Sequence, residues 1–425
     1  MNTASQDPLS QLEPHDIASA WTSRGLDQMT DAELLHAACE QLSVPRDGEA
    51  SSFTLHAPLE LMARAQLLPM VSRPRRESAR QRIAHVAATW ATTGASTATI
   101  ADISPIERPL DALADALRHG DPATADHAFV ALCARRDQDQ IVDNLVDIVL
   151  PQLGGAAHGA ILLELLPRFR PARMNPALMA RTLVGDIARH PDWQLRWFNQ
   201  QRPAASEVSL TDRLVSPKAD REPSSHFVQP TMALVDDTGL AHRLLADVTQ
   251  DLPIDEARRQ LLTLAAMSML QDEPASAPYG WTHCLTLPQA ALAIAHRAAD
   301  SRRAIDIAAT YVLGFRATQS TGPIDPSWEP DPPHRSSEVV VTHLDPSTAA
   351  AAAWHATSEQ EVSITQELID NAAPHHDAHL AKYTLACLDA RANDPANGRL
   401  FLAAATYLAA WWHQHDHDHP NGALP

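Results

Sequence analysis

Residues 121–134 read DPATADHAFVALCA. Asp121 offers a carboxylate to the free N–H groups of a first helical turn. Pro122 has the φ that turn needs and no N–H to leave unpaired. The body that follows is rich in alanine, the strongest helix former. Asn175-Pro176 makes the same kind of start. Outward from this segment, helices are expected at about 57–68, 75–93, 107–118, 121–134, 137–149, 156–168, 174–188 and 191–199. An earlier one opens at Thr30-Asp31-Ala32-Glu33 and runs through Cys39. Further helices are expected at about 238–249, 255–272, 283–299, 301–314, 346–356, 359–371, 376–392 and 397–413. The short run Val339-Val340-Val341-Thr342 is the best strand candidate.

The fold class is therefore all-α, a large multi-helix array. Gly is scarce, at 14 of 425 residues, and the 32 prolines punctuate helices rather than interrupt them. Two Pro-rich stretches, 200–230 and 317–337, read as long loops. One large helical domain is expected over 16–412, with two lobes, 16–200 and 231–412, as a variant. Residues 1–15 read as a loose leader and 413–425 as a His- and Asp-rich tail. No fixed-period repeat marks a solenoid.

The net charge of −19 excludes the basic face that nucleic-acid phosphates require, and argues against an anionic membrane surface. No apolar stretch is long enough for a transmembrane helix. The opening MNTASQDPLSQLEPHD lacks a basic region and an apolar run, so no signal peptide is expected. Cys39, Cys133, Cys284 and Cys387 are widely spaced and form no CxxC, which fits a reducing compartment, the cytoplasm. No GxGxxG, P-loop or GxSxG is present, so no flavin or nicotinamide motif supports a Rossmann site.

The chain has 22 histidines, and four stand out by their neighbours. His56 lies at an expected helix start, Phe53-Thr54-Leu55-His56-Ala57-Pro58, where Pro58 fixes the first turn. His158 lies among small residues, Gly154-Gly155-Ala156-Ala157-His158-Gly159, which leave room beside the imidazole. His283 lies in Tyr279-Gly280-Trp281-Thr282-His283-Cys284. His379 and Lys382, three apart in Asp377-Ala378-His379-Leu380-Ala381-Lys382, share one helical face. The plain reading of any one of them is a hydrogen-bonded core or surface histidine. Together they allow a metal site assembled from facing helices, since imidazole is a ligand for zinc, iron, copper and nickel.

At these four segments the chain resembles the questin oxidase-like family. The ordered set Leu55-His56-Ala57-Pro58, His158-Gly159, Thr282-His283-Cys284-Leu285-Thr286 and His379-Leu380-Ala381-Lys382 carries the resemblance over roughly 45–410. It implies a non-haem metal, iron(II), held by His56, His158, His283 and His379, with Lys382 joining as a carbamate whose anionic oxygens can bind a cation. It implies an oxygenase, one-oxygen-inserting (Baeyer–Villiger-like) or ring-cleaving, that uses dioxygen on an aromatic polyketide or quinone-like substrate. NADPH is the candidate reductant. Leu55 stands where many members have asparagine, and Ile161-Leu162-Leu163-Glu164 stands where polar residues often occur, which bears on the substrate.

Phe53, Tyr279 and Trp281 are candidate pocket walls, with core packing as the plainer alternative. His375, four residues before His379, is an alternative ligand, and Tyr383 is assigned no role. His413, His415, His417 and His419 alternate with other polar residues in the tail and can bind metals loosely. The competing reading is a helical binding or scaffold protein with structural histidines. Convergence of the four rings, with nitrogens about 3–5 Å apart, separates the two.

Overall fold

In the computed structural model, residues 9, 12–48, 51–97, 106–171, 174–332 and 341–415 are described. Among them are 19 α-helices and no β-strand, as an all-α fold requires. Asp121 accepts from the Thr124 N–H at 3.0 Å and starts the helix Pro122–Cys133. Thr30 and Glu33 form a reciprocal capping box ahead of the helix Asp31–Ser43. Asn175 caps a 3₁₀ turn, Pro176–Ala180, that leads into the helix Arg181–Arg189.

Where the elements differ from expectation, a competing partner accounts for it. No α-helix forms over 191–199. There the chain pairs in extended form with 151–153, Leu153 N–H donating to the Trp193 carbonyl and Leu195 N–H to Pro151, both at 2.8 Å. The stretch 200–230 contains the short helix Leu210–Leu214 and the start of a second, Val228–Asp237. Pro230 falls in the first turn of that second helix, where its missing N–H costs nothing. Left-handed Gly239, at φ 69°, then separates it from the helix Leu240–Leu245, which is shorter than the expected 238–249. The helix Ser301–Gln319 runs into the second Pro-rich stretch, which continues irregularly to residue 332. Its remainder lies outside the described residues.

Val339 and Val340 also lie outside the described residues. Val341 and Thr342 belong to a 3₁₀ turn, not a strand, because their N–H groups donate to the Glu367 carboxylate at 3.2 and 2.8 Å. The helix Gly398–His415 carries the first part of the expected tail, and 416–425 are not described. Leu9 and Leu12 are buried, so the expected leader is anchored in the core where it is described.

A single apolar core joins residues from Leu9 to Trp412. Helices from the two halves of the chain pair across it. Ser52–Leu67 packs on Ala378–Asn393, and Gly159–Leu165 packs on Thr282–Ala293. These four helices carry or adjoin the four singled-out histidines. All four cysteines are buried and free. No helix among the described residues is long and apolar enough to cross a membrane.

Candidate metal centre

Ser51 and Thr54 form a capping box, so the first of these helices begins at Ser52, ahead of the expected start. His56 is consequently inside the helix rather than at its start. Pro58 is also interior, and its lack of an N–H leaves the Thr54 carbonyl without its helical donor. The His56 ring is braced from one turn back, with Nδ1 2.6 Å from the Ser52 carbonyl. His283 is braced in the same way, with Nδ1 2.6 Å from the Tyr279 carbonyl. That carbonyl belongs to a π-helical turn, Ala277–Trp281, a widening often found at functional sites.

Asp377 caps the helix Ala378–Asn393. Its Oδ1 accepts from the His379 N–H at 2.6 Å and lies 3.1 Å from His379 Nδ1. An oxygen acceptor at Nδ1 holds the proton there and leaves Nε2 with a free lone pair, the arrangement metal-ligating histidines use.

His158 is presented differently. Gly155, Ala156 and Ala157 have φ of 61°, 53° and 59°, a left-handed turn just before His158, and the helix begins only at Gly159. The glycines were expected to leave room beside the imidazole. Instead, they permit close packing. A Cβ on Gly154 would lie 2.8 Å from the Ile187 Cα, and one on Gly159 would lie 2.1 Å from the Val149 Cγ1. The His158 Nδ1 makes no hydrogen bond, and its Nε2 faces His283 Nε2 at 3.1 Å.

The four rings meet in the core. Ring centroids are 4.4 Å apart for His56 and His158, 4.6 Å for His56 and His379, 4.9 Å for His283 and His379, and 5.3 Å for His158 and His283. His56, His283 and His379 each offer a ring nitrogen within 4.8 Å of the others. Three nitrogens on one metal stand about 3.4–3.6 Å apart at tetrahedral or trigonal angles with bonds of ~2.1 Å. The trio, within 4.8 Å, is therefore wider than a closed sphere by up to about 1.4 Å. His158 stands against His283 but outside this three-nitrogen group.

His56 Nε2, His379 Nε2 and Lys382 Nζ are buried without a hydrogen-bond partner. An unmade hydrogen bond of this kind costs about 1–3 kcal/mol. Burial, reinforced by the positive charge of Lys382 and of neighbouring imidazoles, pushes His56, His158 and His283 well below the ordinary histidine range. His379 is lowered less, because burial is opposed by the Asp377 carboxylate. Burial also lowers Lys382 to about 7, with Asp377 and Glu60 opposing it. Neutral imidazoles, with an amine that is about half deprotonated near pH 7, form a donor set with few protons to displace, which fits a divalent cation.

The expected pocket walls separate. Tyr279 lies at the site, its ring 5.1 Å from His379. Phe53 is half-buried against the core. Trp281 is fully buried, with its indole N–H on the Glu273 carbonyl, and serves as core. Phe315, which the sequence did not single out, stacks on His283 at 6.4 Å. A small cleft of about 20 Å³, room for about one water, is lined by Lys382, Thr286, Gln289, Ile161, Ala63 and Glu164. His375 accepts from the Asp377 N–H at 3.1 Å and lies 5.3 Å from Trp412, so it is not in the three-nitrogen group. In the tail, His413 stacks on His343 and His415 on Trp411, while His417 and His419 lie outside the described residues.

The sequence reading missed Asp377 as a brace, although an acidic residue two positions before a singled-out histidine, at a helix N-cap, was a usable signal. The Ser52 and Tyr279 carbonyls had none beyond the four-residue helical spacing. No family model, curated protein or solved structure matches the chain.

Proposed function

We propose that the chain is a metal-dependent oxidoreductase, an oxygenase that uses dioxygen on an aromatic polyketide or quinone-like molecule. His56, His283 and His379 hold the metal, iron(II), with His158 as a further imidazole and Lys382 as a carbamate ligand. The observation that carries this reading is the braced trio. Three buried imidazoles from three helices each keep Nδ1 against an oxygen and offer a ring nitrogen to a common space. Structural histidines need no such convergence, and two of the three Nε2 atoms are left unpartnered by it.

The resemblance of the four histidine segments to the questin oxidase-like family supports the oxygenase class, the aromatic substrate and the carbamate. A bound iron(II) supplies redox and Lewis-acid chemistry at that point. The chain's own residues supply the rest. Ser52, Tyr279 and Asp377 fix the rings and their proton-bearing nitrogens. Tyr279, half-buried beside His379, gives an aromatic face for a planar ring, and Phe315, fully buried, backs the His283 ring. Lys382, with its pKa lowered to about 7, has the neutral amine that carbamate formation with carbon dioxide requires.

Metal analysis of the full-length chain tests this, with His417 and His419 replaced by alanine so that the tail does not contribute. About one iron per chain is expected after anaerobic loading, falling at least tenfold in His283→Ala. Unchanged iron content in His283→Ala would overturn the ligand assignment.

A further inference from the structure

We propose that Glu60, acting through Arg64 and Arg82, is a positioning residue for the metal centre and sets where His379 stands relative to His56. The inference rests on the metal reading above and adds to it the part that holds the two halves of the site in register.

Glu60 lies one turn beyond His56 on the same helix and is 2% exposed. Its Oε1 is 2.8 Å from Arg64 Nε and 2.7 Å from Arg64 Nη2. The same oxygen is 2.9 Å from Arg82 Nε and 2.8 Å from Arg82 Nη2, and Arg82 comes from the neighbouring helix Arg76–Ala91. Two guanidiniums on one carboxylate leave a positive charge that the buried Asp377 carboxylate offsets only across space. That charge is turned onto the end of the helix Ser358–Ala372, where free carbonyls and the helix dipole are negative. Arg64 Nη1 donates to the Ala372 carbonyl at 3.0 Å and to that of Ala373, and Nη2 donates to His375 at 2.6 Å. Arg82 Nη2 donates to the His376 carbonyl at 2.5 Å.

Four carbonyls between Ala372 and His376 are thus held by one carboxylate-centred clamp. The next residue is Asp377, which caps the following helix and braces His379. The chain has no slack between clamp and ligand. Because Glu60 and His56 ride on the same helix, the clamp ties the His56 ring to the turn that aims His379. A clamp that served the fold alone would have no reason to affect the metal beyond general stability.

Cobalt(II) titration of the full-length chain, read by its d–d absorption alongside thermal melting, separates the two roles. Arg82→Gln leaves the buried Glu60–Arg64 pair intact and releases the His376 carbonyl, the contact with His85 Nδ1 and one side of the clamp. It is expected to weaken cobalt(II) binding at least tenfold and to change the absorption bands, with Arg82→Lys intermediate. Arg202→Gln breaks an ion pair with Asp306, away from the site, and is the matched structural control. It is expected to lower the melting temperature and leave the cobalt(II) spectrum unchanged. Glu60→Gln is expected to exceed Arg82→Gln in effect. If it does not fold, the Arg82 pair of variants decides the matter alone. Wild-type cobalt(II) affinity and spectrum in Arg82→Gln, or equal losses in Arg82→Gln and Arg202→Gln, would overturn the inference while leaving the metal reading intact. A wild-type chain that takes up no cobalt(II) would overturn both.

Discussion

His379 and His158 reach the same space by opposite means. His379 sits in the first turn of a long helix, capped and braced by one aspartate that holds both its backbone N–H and its ring. His158 follows three left-handed residues, two of them alanines, and its Nδ1 has no hydrogen bond. Left-handed geometry costs a non-glycine residue about 1–2 kcal/mol, and such strain persists only when the surroundings over-determine it. One imidazole therefore has its tautomer fixed and its backbone relaxed. The other follows a strained turn and takes its tautomer from His283, whose Nε2 is left to accept from it. The difference assigns unequal roles. A braced ring with one free lone pair is built to ligate. A ring whose Nε2 lies 3.1 Å from another Nε2 can donate a proton there or share a cation, and it adjusts to whichever is present.

The sharpest way to break this contrast is to remove each feature in turn and titrate metal. Asp377→Ala takes away the brace and the cap while leaving His379 in place. Loss of an outer-shell partner of this kind costs about 10–100-fold in affinity. His158→Ala removes a whole imidazole that lies outside the three-nitrogen group, and a smaller loss is expected, below tenfold. If His158→Ala costs more than Asp377→Ala, the distinction between braced and unbraced rings has no bearing on ligation.

Acid sharpens the same contrast without a substitution. In the unfolded chain all these histidines take up protons near pH 6.5. In the folded chain burial keeps His56, His158 and His283 neutral well below that. Below about pH 6.5 the unfolded state then binds more protons, and stability falls by about 1.4 kcal/mol per pH unit for each ring that stays neutral. Lys382 acts in a higher window. Between about 7, its folded value, and its ordinary value near 10.5, the unfolded state again holds the extra proton, so stability rises with pH there too. Denaturant melts of the metal-free chain from pH 5 to 8 should show stability increasing, and Lys382→Met should flatten the slope above pH 7; above about pH 8 the four buried thiols, held protonated by burial, turn the slope downward. Within the cluster, Asp377 makes His379 the first of the rings to protonate on acidification, ahead of His158, which ring-proton NMR can order.

How far the sequence carried this picture depends on the range of each contact. Helix starts that depend on a side chain three residues away were readable, as at Asp121 and Thr30. The four histidines were readable as departures from their apolar and small-residue surroundings. The extended pairing of 193–195 with 151–153 was not, because it depends on a partner segment some forty residues earlier in the chain. Glu60 looked like one more acidic residue on a helix. Its partners Arg64 and Arg82 donate to carbonyls 294 to 311 residues further along, and backbone carbonyls leave no mark in a sequence. The left-handed turn was hidden for a related reason. Gly154-Gly155 announces backbone freedom, but Ala156 and Ala157 do not, and only the packing of Gly154 on Ile187 and Gly159 on Val149 forces them to follow.

That forcing predicts the smallest effect. Ala156→Gly removes the Cβ that makes φ 53° costly, and Ala156 is partly exposed, so little packing is lost with it. Relief of about 1–2 kcal/mol is partly offset by the greater freedom glycine has in the unfolded chain, about 0.5–1 kcal/mol. The variant is expected to be equally stable or more stable by up to about 1.5 kcal/mol in denaturant melts. If the surrounding glycines and the Gly155 N–H bond to Asp186, at 2.7 Å, already fix the turn, its metal affinity should match the wild type. Should affinity fall with stability unchanged or raised, the strain itself would be aiming His158 at the metal. His158 would then rank with the braced rings as a ligand despite its free Nδ1.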